Sequence, residues 1–232
     1  RRELCGAPTL RIPHESQGVV GREYIALADE VVAAILVTVR EGWAFAAIDE
    51  ETALEGEVVM TERLRDGMRQ ALTSGTLAWG KSFIVALGME SRSTPDVVTP
   101  DGRTDIPLYV VEVFLRHAEH DPHAIIECKR LDGSDTYLCR EYVVEGVDRF
   151  RSGKYAENHA SGFMAGYLLG GDALSAAAGV NAYLGRVKRA DEQIVLSPVV
   201  EHPAFWRSEH ARTAERPAIA IHHALLGLTA GF

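Results

Sequence analysis

Residues 105–129 read DIPLYVVEVFLRHAEHDPHAIIECK, from Asp105 to Lys129. Asp105 opens one apolar, β-prone run, and a second run beginning at His123 ends in Glu127-Cys128-Lys129. The polar, proline-broken connector 116–122 predicts two antiparallel core strands, over 105–115 and 123–129. Successive side chains of a strand point to opposite faces, so Glu127 and Lys129 share one face while Cys128 turns to the other. Two carboxylates and an ammonium then converge in an apolar setting, where an unpaired charge costs on the order of several kcal/mol. A hard divalent cation held by Asp105 and Glu127 is the simplest way to neutralise them.

Working outward, residues 81–87 are apolar and β-prone and predict the first core strand. Before them, Met60, Leu64, Met68 and Leu72 recur at helical steps, predicting a helix over 58–72 that stops near Gly75. After the central pair, Asp135 is a candidate N-cap for a helix over 134–152, with Tyr137, Val143, Val144, Val147 and Phe150 on its buried side and Gly153 past its end. Residues 162–169 follow as a strand. The order over 58–169 is therefore helix, three strands, helix, strand.

In that context the acid at 105 and the Glu127-Cys128-Lys129 triplet resemble the active-site signature of the PD-(D/E)XK nuclease superfamily, the restriction-endonuclease-like fold. The likeness covers roughly half the chain. Thr104 rather than proline precedes Asp105; literal Pro-Asp pairs stand at Pro95-Asp96 and Pro100-Asp101, so Asp96 is the second choice for this acid. The resemblance implies an α/β (α+β) domain with a central mixed β-sheet flanked by helices. Its core spans about 58–169, with an N-terminal helical extension over 1–56 and a C-terminal helix and strand extension over 170–232. It implies Mg2+, with Mn2+ as substitute, held by Asp105, Glu127 and a main-chain carbonyl near Cys128. Lys129 would act on the attacking water, and Glu62 on the preceding helix would assist the metal. The expected reaction is phosphodiester hydrolysis in nucleic acid without a covalent intermediate, leaving a 5′-phosphate. DNA is the expected substrate; RNA, or a silent binding module on the same fold, is the alternative. Arg149, Arg151 and Lys154 are candidate phosphate contacts, although cations near a helix end also suit the helix dipole.

The remaining chain fits one domain. A helix is predicted over 23–41, a connection over 43–56, a helix over 172–189, and strands over 193–200 and 218–226. Ser208, His210 and Arg212 alternate, so an extended segment would turn all three one way toward a phosphate; a polar loop is the other reading. Without a partner acid or a strained turn at the serine, acyl transfer is not expected. His117, His120 and His123 suggest zinc only by residue type, and a polar surface loop is the simpler reading. With 47% hydrophobic residues the chain can bury a sizeable core, and its net charge of −9 disfavours indiscriminate coating of nucleic acid. Three widely spaced cysteines, at 5, 128 and 139, fit reduced thiols in a cytoplasm. No apolar run in the sequence is long enough to span a bilayer, so no membrane partner is expected, and homodimerisation is left open.

Overall fold

The computed structural model describes residues 25–88, 90–91, 102–117, 122–212 and 216–228. The chain runs α1 (Asp29–Ala46), α2 (Glu50–Leu54), α3 (Glu57–Thr73), β1 (Phe83–Val85), the short pair β2 (Glu90–Ser91) and β3 (Gly102–Arg103), β4 (Ile106–Val110) and α4 (Val111–His117). It continues through β5 (Ala124–Asp132), α5 (Thr136–Tyr142), a π-helical turn (Val143–Val147), α6 (Asp148–Arg151), β6 (Ser161–Gly170) and α7 (Ala173–Arg186). A 3-10 turn (Ala190–Glu192), β7 (Val195–Leu196), β8 (Phe205–His210) and β9 (Ile219–Gly227) close it.

Seven strands form one mixed sheet in the order β1-β4-β5-β6-β9-β8-β7. β4 is antiparallel to both β1 and β5, whereas β5, β6 and β9 run parallel. The parallel steps follow from the connections: a parallel neighbour requires a crossover, and α5–α6 and α7 supply them. One face of the sheet is covered by α1 and α3, which pack Ile35, Met60, Leu64 and Met68 against Ile126, Cys128, Phe163 and Tyr167. On the other, Tyr142, Val147, Phe150, Val180 and Leu184 pack against Leu131, Met164, Ile221 and Leu225. Because the central strands are buried on both faces, they read as continuous apolar runs rather than alternating ones. Among the described residues, no helix is long and apolar enough to cross a membrane.

Local chemistry explains the helix ends. Asp135 accepts from the N–H groups of Tyr137 and Leu138, and Asp172 forms a capping box with Ser175 ahead of α7. α1 and α3 cross at Gly42 and Gly67, where a Cβ on Gly67 would lie 2.1 Å from the Gly42 carbonyl oxygen; only glycine permits that approach.

Several expectations need correction. The strand predicted over 105–115 stops at Val110, because its last rung is to Phe83 and the Val111 N–H closes onto the Ser82 carbonyl; beyond that no neighbour remains and the chain turns into α4. Residues 193–200 form only the two-residue β7, and the segment read as a polar loop is β8. The connection over 43–56 contains the last turn of α1 and all of α2. His123, taken for a surface residue, is buried, and its Nδ1 accepts from the Val110 N–H at 2.8 Å. Cys5, Asp96, His120 and the side chain of His117 lie outside the described residues.

Candidate functional site

β4 and β5 pair over three rungs, Ile106 with Ile126 through Leu108 with Ala124, a register that continues to bring Asp105 level with Glu127. The Cys128 N–H donates to Asp105 Oδ2 at 2.8 Å. Glu127, one residue earlier, is fully buried and turns toward α6. Its Oε1 accepts from Arg149 Nη1 at 2.8 Å and lies 3.3 Å from Lys129 Nζ. Its Oε2, also buried, has no hydrogen-bond partner among the described residues. Cys128 points the other way, into the core with Tyr167, and burial pushes its thiol well up. The strand alternation read from the sequence therefore holds.

The Lys129 stem passes the π-helical turn, where a Cβ built on Gly146 would lie 3.4 Å from Lys129 Cγ. Its ammonium donates to Glu57 Oε1 at 2.8 Å and to the Cys128 carbonyl at 3.0 Å. Glu57 Oε2 in turn accepts the Arg130 N–H at 3.1 Å. The acid from the preceding helix is thus Glu57, the first residue of α3. Glu62 is exposed, and no hydrogen bond or ion pair ties it to Asp105, Glu127 or Lys129. The Cys128 carbonyl, expected to face a metal, is engaged by Lys129.

Three acids and two bases share this space, and the balance shifts their protonation. Burial, then the charge of Asp105, push Glu127 up to about 8, against the pull of Lys129 and Arg149. Burial also raises Asp105. Burial alone would lower Lys129, but Glu127 and Glu57 outweigh it and hold the ammonium charged. Tyr155, whose hydroxyl accepts from Arg149 Nη1 at 2.9 Å, is pushed up to about 12 by burial first and Glu127 second. A buried carboxylate oxygen without a partner, beside a second acid on the neighbouring strand, fits a hard cation such as Mg2+ or Mn2+. Among the described residues, no group of three or more His, Cys, Asp or Glu is arranged as a ready-made metal cage.

The basic residues do not form one phosphate-facing row. Arg149 points inward to Glu127, while Arg151 reaches Glu192 at 3.7 Å and Asp148 at 4.0 Å. Lys154 lies past α6 and is partly buried. Ser208, His210 and Arg212 do face one way, as alternation required, but they face inward. Arg212 is buried and donates inward, to the Ala156 and Glu157 carbonyls at 2.7 and 2.8 Å.

His210 belongs to a second cluster that the sequence concealed. Its Nδ1 lies 2.5 Å from Glu192 Oε2, and its Nε2 2.7 Å from Ser208 Oγ. Ser208 Oγ is also 2.8 Å from His223 Nε2, and His223 Nδ1 is 2.9 Å from Tyr142 Oη. With both imidazoles neutral and Glu192 ionised, one direction satisfies every atom. Tyr142 donates to His223, His223 to Ser208, Ser208 to His210, and His210 to Glu192. Burial lowers both histidines and so keeps them neutral. The partner acid missing from the sequence reading of Ser208 and His210 is therefore Glu192. Ser208 remains buried at 3% exposure with both its hydrogen-bonding directions used, so it is no nucleophile.

Comparison with protein families, curated proteins and solved structures finds no match to the chain.

Proposed function

We propose that the protein is a metal-dependent phosphodiesterase acting on nucleic acid, DNA first, built as a PD-(D/E)XK nuclease around Asp105, Glu127 and Lys129. The observation that carries this reading is the unpartnered, fully buried Oε2 of Glu127 beside Asp105, with an ammonium at the same carboxylate. The element order α3, β1, β4, β5, α5–α6, β6, with β6 parallel to β5, supports it, because it is the order expected of such a core. A divalent cation held by Asp105 and Glu127 would acidify water and offset charge growing on the phosphoryl oxygens.

The chain's own residues then divide the work. Asp105, oriented by the Cys128 N–H, and Glu127 supply the hard oxygen ligands. Lys129, fixed between Glu57 and the Cys128 carbonyl, presents a permanent positive charge that can orient water or stabilise the phosphorane-like charge. Glu57 is a positioning residue for Lys129, a different part from the metal-assisting one foreseen for Glu62. Nucleic-acid contact is assigned to Arg149 and Lys154, with Arg151 secondary and His210 and Arg212 withdrawn.

A second reading, a silent scaffold of the same fold, draws on one observation: Arg149 and Lys129 already neutralise Glu127 Oε1. Incubating the pure protein with plasmid, single-stranded DNA and RNA, in Mg2+, Mn2+ or chelator, separates the two. The nuclease reading expects cleavage that needs the metal and vanishes in Asp105→Asn; intact substrates in every metal would leave the scaffold.

A further inference from the structure

We propose that Arg149 is a displaceable counter-cation: it occupies the place of positive charge at Glu127 in the metal-free protein, and a divalent ion arriving there releases its guanidinium to a substrate phosphate. This deepens the phosphodiesterase reading and rests on it.

Two cations meet at Glu127, and they are anchored unequally. Lys129 Nζ is bound to Glu57 Oε1 and the Cys128 carbonyl as well, and its side chain is only 12% exposed. Among the described residues, the inward hydrogen bonds of Arg149 come from one nitrogen, Nη1, shared between Glu127 Oε1 and the Tyr155 hydroxyl, with the Tyr155 ring centroid 5.4 Å from the guanidinium carbon. Its Nη2 already faces outward, 3.6 Å from Glu145 Oε2, a carboxylate 48% exposed. The guanidinium thus spans an inner carboxylate on β5 and an outer one on the π-helical turn before its own helix.

Charge balance favours its release. With all three acids ionised, as metal binding requires, Glu57, Asp105 and Glu127 face Lys129 and Arg149 and leave the cluster one positive charge short. A divalent ion overfills it by one, and like charges at a single buried carboxylate repel strongly where water is scarce. The cation with fewer ties leaves. Once free of Glu127, the guanidinium fork is the side chain best shaped to take a phosphate in bidentate fashion. The π-helical turn before α6 is where such irregularities gather at functional sites, and it aims Arg149 at the strand.

The test is a calorimetric titration of Mn2+ alone into wild type, Arg149→Ala and Tyr155→Phe. A competitor for Glu127 predicts about tenfold tighter Mn2+ binding in Arg149→Ala and a smaller gain of the same sign in Tyr155→Phe, which loosens the guanidinium but keeps its charge. Equal or weaker binding in both variants overturns the proposal. Should Arg149→Ala fail to fold, Tyr155→Phe decides by its sign. A wild type that takes up no Mn2+ overturns the phosphodiesterase reading as well, whereas wild-type binding that neither variant improves overturns only the role of Arg149. In a second arm, binding of a short DNA duplex with phosphorothioate linkages is followed against salt. Arg149→Ala should flatten the slope by about one unit in Mn2+ and leave it unchanged in chelator. A slope loss of equal size in chelator, or none in Mn2+, contradicts the hand-over to phosphate.

Discussion

The chain Tyr142, His223, Ser208, His210, Glu192 and the cluster Asp105, Glu127, Lys129, Glu57, Arg149 are both sunk into the interior, yet they treat their polar atoms differently. The first runs donor to acceptor with no atom to spare, and its ionised end, Glu192, is capped by Arg189 at 2.6 Å. In the second, Glu127 crowds two cations onto one oxygen and leaves the other with none, and three acids outnumber two bases. A satisfied buried network rigidifies a fold, whereas a partly satisfied one is a liability that folding alone gives no reason to keep. We read the first as structure and the second as function held at the expense of stability.

The largest expected effect separates the two networks by activity. Glu127→Gln or Asp105→Asn should reduce turnover by about 10²- to 10³-fold or more, the scale of losing a preorganised charge, while the melting temperature in chelator holds or rises because acid–acid repulsion is relieved. Single-turnover cleavage and thermal melting on the same samples measure both. A large melting loss with cleavage intact per folded molecule would turn the cluster into a structural ion-pair network.

Ser208→Ala makes the converse statement. It strands the facing nitrogens of His210 and His223, so stability should fall by about 1–3 kcal/mol with cleavage per folded molecule unchanged. Urea titration reads it. A neutral substitution would mean that the chain is not held as drawn.

The networks should also respond to pH with opposite signs. Glu127 titrates near 8 folded but near the ordinary carboxylate value unfolded, so its contribution to stability is full at low pH and is lost as the pH rises through about 8. Asp105, raised in the same direction, adds to this. His210 and His223 are lowered by burial, so what they contribute is present above their unfolded value and is lost as the pH falls. In chelator, the acid-side loss should shrink in a Ser208→Ala, His210→Leu, His223→Leu triple variant, with the part owed to the buried His159 and His222 remaining. The decline between the ordinary carboxylate range and about pH 8, up to about 1.4 kcal/mol per pH unit for one proton, should flatten in Glu127→Gln. Declines unaffected by either set of substitutions would show that other groups govern the pH response.

The smallest effect concerns the outer cations. Because Arg151 is tied to Asp148 and Glu192, Arg151→Ala should change the salt slope of DNA binding by less than one unit, and less than Arg149→Ala does in Mn2+. A full unit lost from Arg151 would restore the phosphate-facing row expected from sequence.

Asp105, Glu127 and Lys129 could be read from the sequence because strand alternation and the acid heading a neighbouring run act locally. The cap Asp135 and the stop at Gly75 belong to the same class of local signal. Glu57 could not be chosen over Glu62 in this way. Glu62 lies off the apolar stripe of α3, whereas Glu57 stands seven residues before Leu64 on its buried side, and the helix predicted over 58–72 begins one residue too late to include it. β8 was hidden for another reason. Ser208 and His210 are polar and read as loop, but partners fifteen or more residues away, His223 and Glu192, satisfy them in the interior. The over-long strand after Asp105 shows the reverse error: residues 111–115 are apolar enough for a strand, but the three-residue β1 gives them no neighbour to pair with.

The central claim is that the open oxygen of Glu127 and its neighbour Asp105 exist to hold a divalent cation. Titrating Mn2+ by calorimetry into wild type and Asp105→Asn, at pH 7 and again at pH 9, tests it most directly. We predict a binding heat in the wild type that Asp105→Asn loses. We also predict proton release at pH 7 that disappears at pH 9, since Glu127 must give up its proton before it can bind. Equal heats from the two proteins, or binding without proton release at pH 7, would contradict the account.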